Sequence, residues 1–417
     1  MSSQRARKEA TLCRQLLRAA LDPSLSSDPA EFDAAALAGV NWSLLLEMSR
    51  QHRLGGLLCE GVRRLELTRG IPAPVWESLQ MGYYSNLAHN LVLFRHGEEI
   101  IERSARLGVP VILLKGAALA GTLYRNVALR PMADLDLLVR RSEARAMIDL
   151  VGRLGYELGE VASHATLLRH RASGTYLEVH TSLTSCPDYF GIETEDLLAR
   201  SRAAAFWPVP ARSLAPADHL LHLALHGSFQ HAFRQAAINA CDMFLLSRAP
   251  DLDWEAFFAQ ARVPRRAPLV YGGLELAQRL LPSESLAGAL ATLRPQASWL
   301  QRRSVARLSA EALLAPAAEG APPPAWRRIL WVPSLHDALA LVGHTLRGPG
   351  GESSAWWRLQ RGLALVSRHG LDRVLRRFRS RVPRPKAAPG IRLPGRGAPA
   401  AVGAELAAVS QGAQTDV

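Results

Sequence analysis

Apolar residues recur at intervals of three and four over roughly residues 9–106, as in Leu44, Leu45 and Met48. This spacing places apolar side chains on one face of a helix. Gly70, Pro72 and Pro74 punctuate the pattern. The pattern therefore predicts a helical N-terminal segment over residues 1–95.

The pattern changes in the next hundred residues, where short apolar runs at 109–114, 134–139 and 175–180 are typical of buried strands. Helices are predicted between these strands, one over residues 117–124 and one that begins at Ser142, a good N-cap residue. The alternation of strands and helices predicts an α+β fold, in which a small mixed β-sheet core is embedded in a mostly helical protein.

The helical period returns after residue 218 and continues to about 314, where a proline-rich run at 319–324 is typical of a linker. The Gly, Pro and Ala-rich C-terminus has the composition of a disordered chain. The predicted organisation is a helical segment 1–95, a mixed core 96–200, a helical domain 201–318, a helical C-terminal segment 326–381 and a disordered basic tail 382–417.

Composition excludes several classes of protein. Hydrophobic residues make up 48% of the chain and charged residues 21%, which is the balance of a globular protein. No run approaches the ~18 apolar residues of a membrane span, and the N-terminus lacks an apolar signal core, so we expect a cytoplasmic protein. The four cysteines show no C-x-x-C spacing, which indicates neither a zinc site nor a disulfide framework.

The net charge of +13 is concentrated near the C-terminus, because residues 358–396 contain twelve basic residues and one acidic residue. The basicity therefore belongs to an appendage and says little about the core. With Trp356 and Trp357, the region 356–396 can contact nucleic acid or an acidic membrane. The interpretation that we favour is a helix that covers the core and exposes an arginine-rich face to solvent.

Asp134 and Asp136 are the strongest candidates for a catalytic function. They are separated by one residue on a predicted strand, so both carboxylates point to the same face. Paired carboxylates repel each other, and Mg²⁺ or Mn²⁺ would relieve the repulsion. Glu178 is the predicted third ligand, because it lies on the polar face of another strand. The alternative for an isolated Asp-x-Asp is a solvated strand face.

A predicted phosphate site precedes the acids. At Lys115, Gly116 and Ala117 a strand turns into a helix, whose free N–H groups attract anions. Lys115 adds a positive charge, and Arg130 is a second candidate cation for a triphosphate. The alternatives are a solvated lysine at the end of a strand and a structural ion pair of Arg130 with Asp134 or Asp136.

Histidines form two further candidate groups. His180 shares a strand face with Glu178, and we predict that it helps to orient a bound substrate; the alternative is a core-edge histidine bonded to the backbone. His219, His222 and His226 share one face of a predicted helix. Because leucines surround them, packing against the core or along a cleft is favoured over a zinc site.

Taken together, the motifs resemble the uncharacterised nucleotidyltransferase family of bacteria, which belongs to the DNA polymerase beta-like nucleotidyltransferase superfamily. The resemblance covers approximately residues 40–275. Its motifs are Leu-Leu-Lys-Gly-Ala-Ala-Leu at 113–119, Leu-Tyr at 123–124, Arg-Pro-Met-Ala-Asp-Leu-Asp-Leu-Leu-Val at 130–139, Gly-Tyr at 155–156 and Leu-Glu-Val-His at 177–180.

The resemblance implies that a glycine-containing turn holds a nucleoside triphosphate and that Asp134, Asp136 and Glu178 bind two metal ions. An acceptor hydroxyl would attack the α-phosphorus, and pyrophosphate would leave. The chain departs from the superfamily pattern in two ways: Ala117 stands where a serine is common, and the turn lies further from the first acid than in compact members.

The sequence therefore predicts a Mg²⁺-dependent nucleotidyltransferase. A nucleotide-binding or partner-binding module without catalytic activity is the alternative, and a nucleic-acid binder that works through the arginine-rich C-terminus is a second one. The identity of the nucleotide, the acceptor and the oligomeric state cannot be read from the sequence.

Overall fold

The structure is a computed structural model that describes residues 2–22, 37–231, 236–306, 309–314 and 331. Among these, only the backbone is described for residues 2–6, 236 and 311. Apart from Trp331, four predicted features lie outside the described residues: the linker 319–324, the segment 326–381, the basic region 356–396 and the tail 382–417.

Four helices form the N-terminal part of the described chain. A side-chain cap starts the second of them, since Asn41 accepts a hydrogen bond from the backbone N–H of Leu44. The fourth is a single helix of 34 residues, which follows Pro72. Their bounds are α1 Ser2–Leu21, α2 Trp42–Gln51, α3 Gly55–Arg64 and α4 Ala73–Arg106.

A seven-stranded mixed sheet follows, and its strand order is β3-β4-β5-β2-β1-β7-β6. This sheet, surrounded by helices, confirms the predicted α+β fold. The strands are β1 Ile112–Leu113, β2 Asp134–Leu138, β3 Tyr156–Val161, β4 Ala165–His170, β5 Tyr176–His180, β6 Arg202–Ala203 and β7 Arg212–Ser213.

The centre of the sheet is the parallel pair β2 and β5, in which Asp136 lies opposite Glu178 and Leu138 lies opposite His180. β1 pairs antiparallel with β2, and β4 pairs antiparallel with β5. Side chains alternate between the two faces of each strand, so directly opposite residues share a face. The register therefore puts the acids of β2 and β5 on one side of the sheet.

The other side of the sheet is apolar. Leu135, Leu137, Leu177 and Val179 are all buried there. α4 crosses this side at Gly97, where a Cβ atom would lie within 3.2 Å of both the Trp207 ring and a Leu135 methyl carbon. A glycine is therefore required for the close approach of helix and sheet.

Some predicted boundaries differ from the structure. The predicted strand 109–114 shortens to Ile112–Leu113, and the hairpin of β3 and β4 was not predicted at all. Ser142 is not a cap: it lies in the 3-10 turn Arg141–Glu143, and α6 begins after Glu143 without a side-chain cap. The short edge strands β6 and β7 are too brief to show a periodic pattern.

Helices make up most of the remaining described chain, as the period after residue 218 predicts. They pack so that one contiguous cluster of buried apolar side chains includes residues from the N-terminal helices, the sheet and the later helices. Their bounds are α5 Lys115–Leu119, α6 Ala144–Arg153, α7 Pro187–Phe190, α8 Thr194–Arg200, α9 Pro216–Leu225, α10 Ala236–Leu246, α11 Trp254–Ala261, α12 Ala267–Leu280, α13 Glu284–Leu293, α14 Trp299–Ala306 and α15 Ala310–Leu314.

Within the described chain, no helix combines the length and the apolarity that crossing a membrane would require. The four cysteines, Cys13, Cys59, Cys186 and Cys241, are all buried.

Candidate active site

Three acidic side chains meet on the polar face of the sheet. Asp134 and Asp136 flank the inward-pointing Leu135 on β2, and Glu178 lies opposite Asp136 on the parallel neighbour β5. One carboxylate oxygen from each acid lies within 4.8 Å of the others. The structure thus brings together the three residues that the sequence singles out as metal ligands.

The spacing of these oxygens fits a divalent cation. Ligand oxygens around an octahedral Mg²⁺, with bonds of 2.0–2.1 Å, lie about 3 to 4 Å apart. The three carboxylate oxygens lie within 4.8 Å of one another, so small shifts of the side chains would bring them to this spacing. Hard oxygen donors of this kind are suited to Mg²⁺ or Mn²⁺.

Lys115 is the principal cation of the site. Its Nζ lies 2.7 Å from Asp136 Oδ1 and 3.9 Å from Glu178 Oε2. Burial alone would lower the pKa of Lys115, but Asp136, Asp134 and Glu178 raise it above the ordinary value. The ammonium therefore stays charged, which is the state needed to bind a phosphate.

His180 connects two of the acids. Its Nε2 lies 2.9 Å from Asp136 Oδ1 and 3.0 Å from Glu178 Oε2, and the ring is almost completely buried. Burial lowers the pKa of His180, but the hydrogen bonds to the two carboxylates outweigh this effect and raise it overall. His180 thus fixes the positions of both carboxylates relative to each other.

The three acids differ in their electrostatics. Burial would raise the pKa of Asp136 and of Glu178, but Lys115 and His180 hold both below the usual range. The pKa of Asp134 is instead raised to about 6, by burial and then by the charge of Asp136. Asp134 is therefore the acid whose charge is least compensated by the protein, and a metal ion would stabilise it most.

The model of a family described as an uncharacterised nucleotidyltransferase matches residues 38–282, more than half of the chain. The chain belongs to this nucleotidyltransferase family. No curated protein and no solved structure matches it.

The nucleotidyltransferase match extends from the region before α2 into the residues after α12, so it contains the whole sheet and the three acids. The resemblance in the sequence motifs is thereby confirmed at the level of the family. The acidic cluster and the family agree, because nucleotidyl transfer is typically assisted by divalent metal ions held by carboxylates.

The backbone at Lys115 adopts a rare conformation. Its φ is +47°, and its N–H donates a hydrogen bond to His219 Nε2 at 3.1 Å. A left-handed conformation costs a non-glycine residue roughly 1–2 kcal/mol. α5 has only five residues and its first N–H is already occupied. Backbone capture of phosphate is consequently less well supported than capture by the Lys115 side chain.

Gly116 and Ala117 make packing contacts instead of lining an open phosphate cradle. A Cβ atom at Gly116 would lie 2.5 Å from the Met132 Cγ, so the side chain of Met132 accounts for the glycine. Ala117 is buried, and its carbonyl accepts a hydrogen bond from Trp207 Nε1 at 3.0 Å. Both residues hold the turn in place beneath Lys115.

Arg130 is engaged differently from either sequence-based expectation. It does not pair with Asp134 or Asp136; its guanidinium binds both oxygens of Asp242 on α10, with a shortest distance of 2.7 Å. Tyr124 Oη donates to the same carboxylate at 2.6 Å. We call Tyr124, Arg130 and Asp242 the closed cluster. Binding of a triphosphate by Arg130 stays a prediction, and it would require this ion pair to open.

Asp242 was missed in the sequence, because nothing local connects it with Arg130, 112 residues earlier in the chain. Its position within a strongly apolar helix is the one signal that could have indicated a buried charge partner. We call Lys115, Asp134, Asp136, Glu178 and His180 the acid-rich cluster.

Histidines of α9 and its C-terminal extension also face this region. His219 accepts from Lys115, and His222 is buried with neither ring nitrogen hydrogen-bonded among the described residues. His226 bonds Gln230 through Nδ1 at 2.6 Å. Within the described chain, no group of three metal-ligating side chains includes these α9 histidines.

His164, just before β4, was not predicted either. One of its ring nitrogens lies within 4.8 Å of ligand atoms of Glu178 and His180. Burial and the neighbouring His180 lower the pKa of His164 to about 4, so the ring is neutral at neutral pH. The residue could have been identified only with knowledge of the β3–β4 hairpin.

Proposed function

We propose that the protein transfers a nucleoside monophosphate from a nucleoside triphosphate to a hydroxyl group of an acceptor, at the site formed by Asp134, Asp136 and Glu178. The observation that carries the proposal is the parallel pairing of β2 and β5. This register sets Asp136 opposite Glu178 and brings three carboxylates within 4.8 Å in a chain of a nucleotidyltransferase family.

Asp134, Asp136 and Glu178 would hold Mg²⁺ or Mn²⁺. The bound metal would neutralise the phosphate charge and favour deprotonation of the acceptor hydroxyl. In the reaction, the acceptor oxygen forms a bond to the α-phosphorus while the bond to the bridging oxygen of the β-phosphate breaks. Glu178 accepts the hydroxyl proton, and pyrophosphate leaves.

Lys115 is the residue that we assign to the triphosphate. It is a charged ammonium at the edge of the acid-rich cluster, and its left-handed backbone is the kind of local strain found at functional sites. Binding of the phosphates would draw Lys115 from Asp136, whose charge a metal ion would then balance. Gly116 and Ala117 contribute by shaping the turn.

His180 is proposed as a positioning residue. Its two hydrogen bonds leave Asp136 and Glu178 little rotational freedom, which favours a preorganised site. The sequence alone suggests that His180 orients the bound substrate; its contacts favour orientation of the carboxylates instead.

A module that binds nucleotide without catalysis is the competing function. It is favoured by one observation, namely that the turn at Gly116 is filled by Met132 and offers little backbone to a phosphate. Both functions require NTP binding, so a binding assay does not separate them. Transfer of label from the nucleotide to an acceptor separates the two functions.

The test is incubation of the full chain with each α-labelled nucleoside triphosphate and Mg²⁺, with and without cell extract, followed by detection of label on the protein or on extract components. We expect transfer that EDTA and Asp136→Asn abolish. Asp149→Asn is the matched control, because Asp149 lies exposed on α6, where its carboxylate pairs with Arg145. NTP binding without transfer under any of these conditions would instead establish the non-catalytic module.

A further inference from the structure

A second group of potential ligands adjoins the three acids. His164, Glu178 and His180 each place one ligand atom within 4.8 Å of the others. The antiparallel pairing of β4 and β5 produces this arrangement: Ala165 lies opposite His180, and the Thr181 N–H donates to the carbonyl of His164 at 2.7 Å. Glu178 and His180 are common to this group and to the acid-rich cluster, and Glu178 is also one of the three acids.

The donors differ from those of the three acids. Two imidazoles and one carboxylate are a ligand set that first-row transition ions such as Zn²⁺, Co²⁺ and Mn²⁺ accept, whereas Mg²⁺ prefers oxygen donors only. Neighbouring ligands on such an ion, with bonds of 2.0–2.2 Å, are about 3.0 to 3.5 Å apart. The ligand atoms of His164, Glu178 and His180, all within 4.8 Å of one another, need only small shifts to reach this spacing.

The hydrogen bonding of His164 and His180 also favours a bound metal ion. The Nδ1 atoms of His164 and His180 are both enclosed and have no hydrogen-bond partner among the described residues. An enclosed polar atom without a partner costs roughly 1–3 kcal/mol, and a ligand can recover that cost. His180 is also 97% buried, since its exposed fraction is 3%.

The ring of His164 is held in place by a hydrogen bond, as metal-bound histidines usually are. Its Nε2 lies 3.1 Å from the side-chain amide nitrogen of Gln230, and Gln230 in turn bonds His226. A partner on one ring nitrogen fixes the imidazole and leaves the other nitrogen available, which is the usual support of a metal-bound histidine. With the amide rotated by half a turn, its oxygen accepts from His164 and Nδ1 carries the lone pair.

The position of Lys115 leaves room for a cation here. The ammonium is directed at Asp136, at 2.7 Å, and remains 3.9 Å from Glu178. Glu178 is therefore not in close contact with the ammonium and can accept a further positive partner.

We propose that His164, Glu178 and His180 form a separate metal position that selects a transition ion over Mg²⁺, adjacent to the carboxylate position and sharing Glu178 with it. This position does not depend on nucleotide transfer being the reaction. It gives the site two chemically different cation positions, one with oxygen ligands and one with nitrogen ligands.

The test uses Co²⁺ alone as the probe, added to the full chain after removal of metals with a chelator and without nucleotide. Co²⁺ in a low-coordinate site with nitrogen ligands absorbs visible light far more strongly than Co²⁺ surrounded octahedrally by oxygens. We expect an intense band that saturates at one ion per chain and is not displaced by excess Mg²⁺.

Variants assign the ligands. His164→Gln should weaken Co²⁺ binding about tenfold or more, because a ligand matters at least as much as its outer-shell partner. His170→Gln, a change of the same type at the far end of β4, should bind like the wild type. Asp134→Asn should retain the band, since Asp134 belongs only to the carboxylate position. A normal band in His164→Gln, or loss of the band in Asp134→Asn, would overturn the proposal.

A measurement on the unmodified protein removes dependence on the folding of variants. Pulsed electron paramagnetic resonance detects nitrogen nuclei in direct coordination to Mn²⁺. With excess Mg²⁺ present to fill the carboxylate position, we expect bound Mn²⁺ to show the signature of imidazole ligands. Absence of nitrogen coupling would refute the proposal while leaving label transfer untouched. A nitrogen-coordinated ion in a protein that transfers no label would refute the proposed function alone.

Discussion

The closed cluster and the acid-rich cluster are both buried groups of charges, but they are balanced in opposite ways. In the closed cluster one carboxylate, Asp242, receives the Arg130 guanidinium and the Tyr124 hydroxyl, and its side chain has no exposed surface. In the acid-rich cluster, three carboxylates share one lysine and one histidine, and an excess of negative charge remains.

The difference separates a structural ion pair from a candidate binding site. A buried charge is tolerated when its partner and its hydrogen bonds are complete, as they are for Asp242. A group of charges left incomplete by the protein is stabilised further by a ligand of opposite sign, and this is the pattern expected of a functional site. Within the acid-rich cluster, the charge of Asp134 is the least compensated, since its pKa is raised to about 6.

The largest expected effect is on activity, in Asp134→Asn. Loss of a metal ligand should reduce transfer on the order of a thousandfold. The same change should raise the free energy of unfolding by about 1 kcal/mol or more, because the amide avoids the cost of a buried, uncompensated charge. Label transfer and urea denaturation at pH 7.5 measure the two effects.

The sign of the stability effect follows from linkage. The unfolded Asp134 carboxyl loses its proton near its ordinary pKa of 3.8, whereas the folded one retains it to about pH 6. The unfolded state is therefore favoured as the pH rises through this interval, and the penalty persists above it. An Asn variant that is less stable than the wild type at pH 7.5 would contradict the proposed charge imbalance.

The closed cluster should respond in the opposite way, with the next largest effect. Asp242→Asn removes the only carboxylate that pairs with Arg130 among the described residues and leaves a buried guanidinium without compensation. We expect a loss of about 3–5 kcal/mol in the free energy of unfolding. Arg130→Met together with Asp242→Leu is the control, and it should recover much of the loss; an unchanged stability in the single variant would remove the distinction between the clusters.

Acid should destabilise the protein through its buried neutral histidines. Burial, with a contribution from Arg130, lowers the pKa of His219 to about 3, and burial with His180 lowers that of His164 to about 4. Below pH 6.5 these histidines bind protons in the unfolded chain but stay neutral in the folded one. The free energy of unfolding therefore falls as the pH falls, until each folded pKa is reached.

The slope is about 1.4 kcal/mol per pH unit for each such histidine well below pH 6.5. Urea denaturation at pH 7.5, 6.5 and 5.5 measures this slope. His219→Gln should reduce it by the contribution of one proton, up to about 1.4 kcal/mol per pH unit. A stability that does not change between pH 6.5 and 5.5 would contradict the neutral, acceptor role of His219 toward the Lys115 N–H.

The smallest effect concerns the hydroxyl of the closed cluster. Tyr124→Phe removes one hydrogen bond to Asp242 but leaves the Arg130 pair in place. We expect a loss of about 1–3 kcal/mol, as for a hydrogen bond to a charged group. Label transfer should remain at the wild-type level, and a large loss of activity would show that the two clusters are coupled.

The acids of the site could be predicted from the sequence because their signal is local. Alternation with Leu135 and Leu137 places Asp134 and Asp136 on one face of a strand, and alternation with Leu177 does the same for Glu178. The central strands are apolar on the opposite face, so the period of two is easily recognised. Metal ligation by these acids stays a prediction, and the α+β class is confirmed.

Other features have no local signal. In β3 only Tyr156 is buried and the remaining residues are exposed, so this edge strand shows no alternation. The positive φ of Lys115 and the contact of Gly116 with Met132 arise from tertiary packing. The partner of Arg130 lies 112 residues away. Sequence periodicity reports the faces of single elements, and these contacts depend on how elements are assembled.

The long helix α4 has a further consequence for how the polypeptide can be divided. Asn86 donates to the carbonyl of Ala128 at 2.6 Å, and Asn90 donates to those of Val127 and Arg130 at 2.6 and 2.8 Å. These amides anchor the chain just before it enters β2. A fragment that starts at residue 96 would lack both anchors, so an engineered minimal catalytic unit needs to begin before α4.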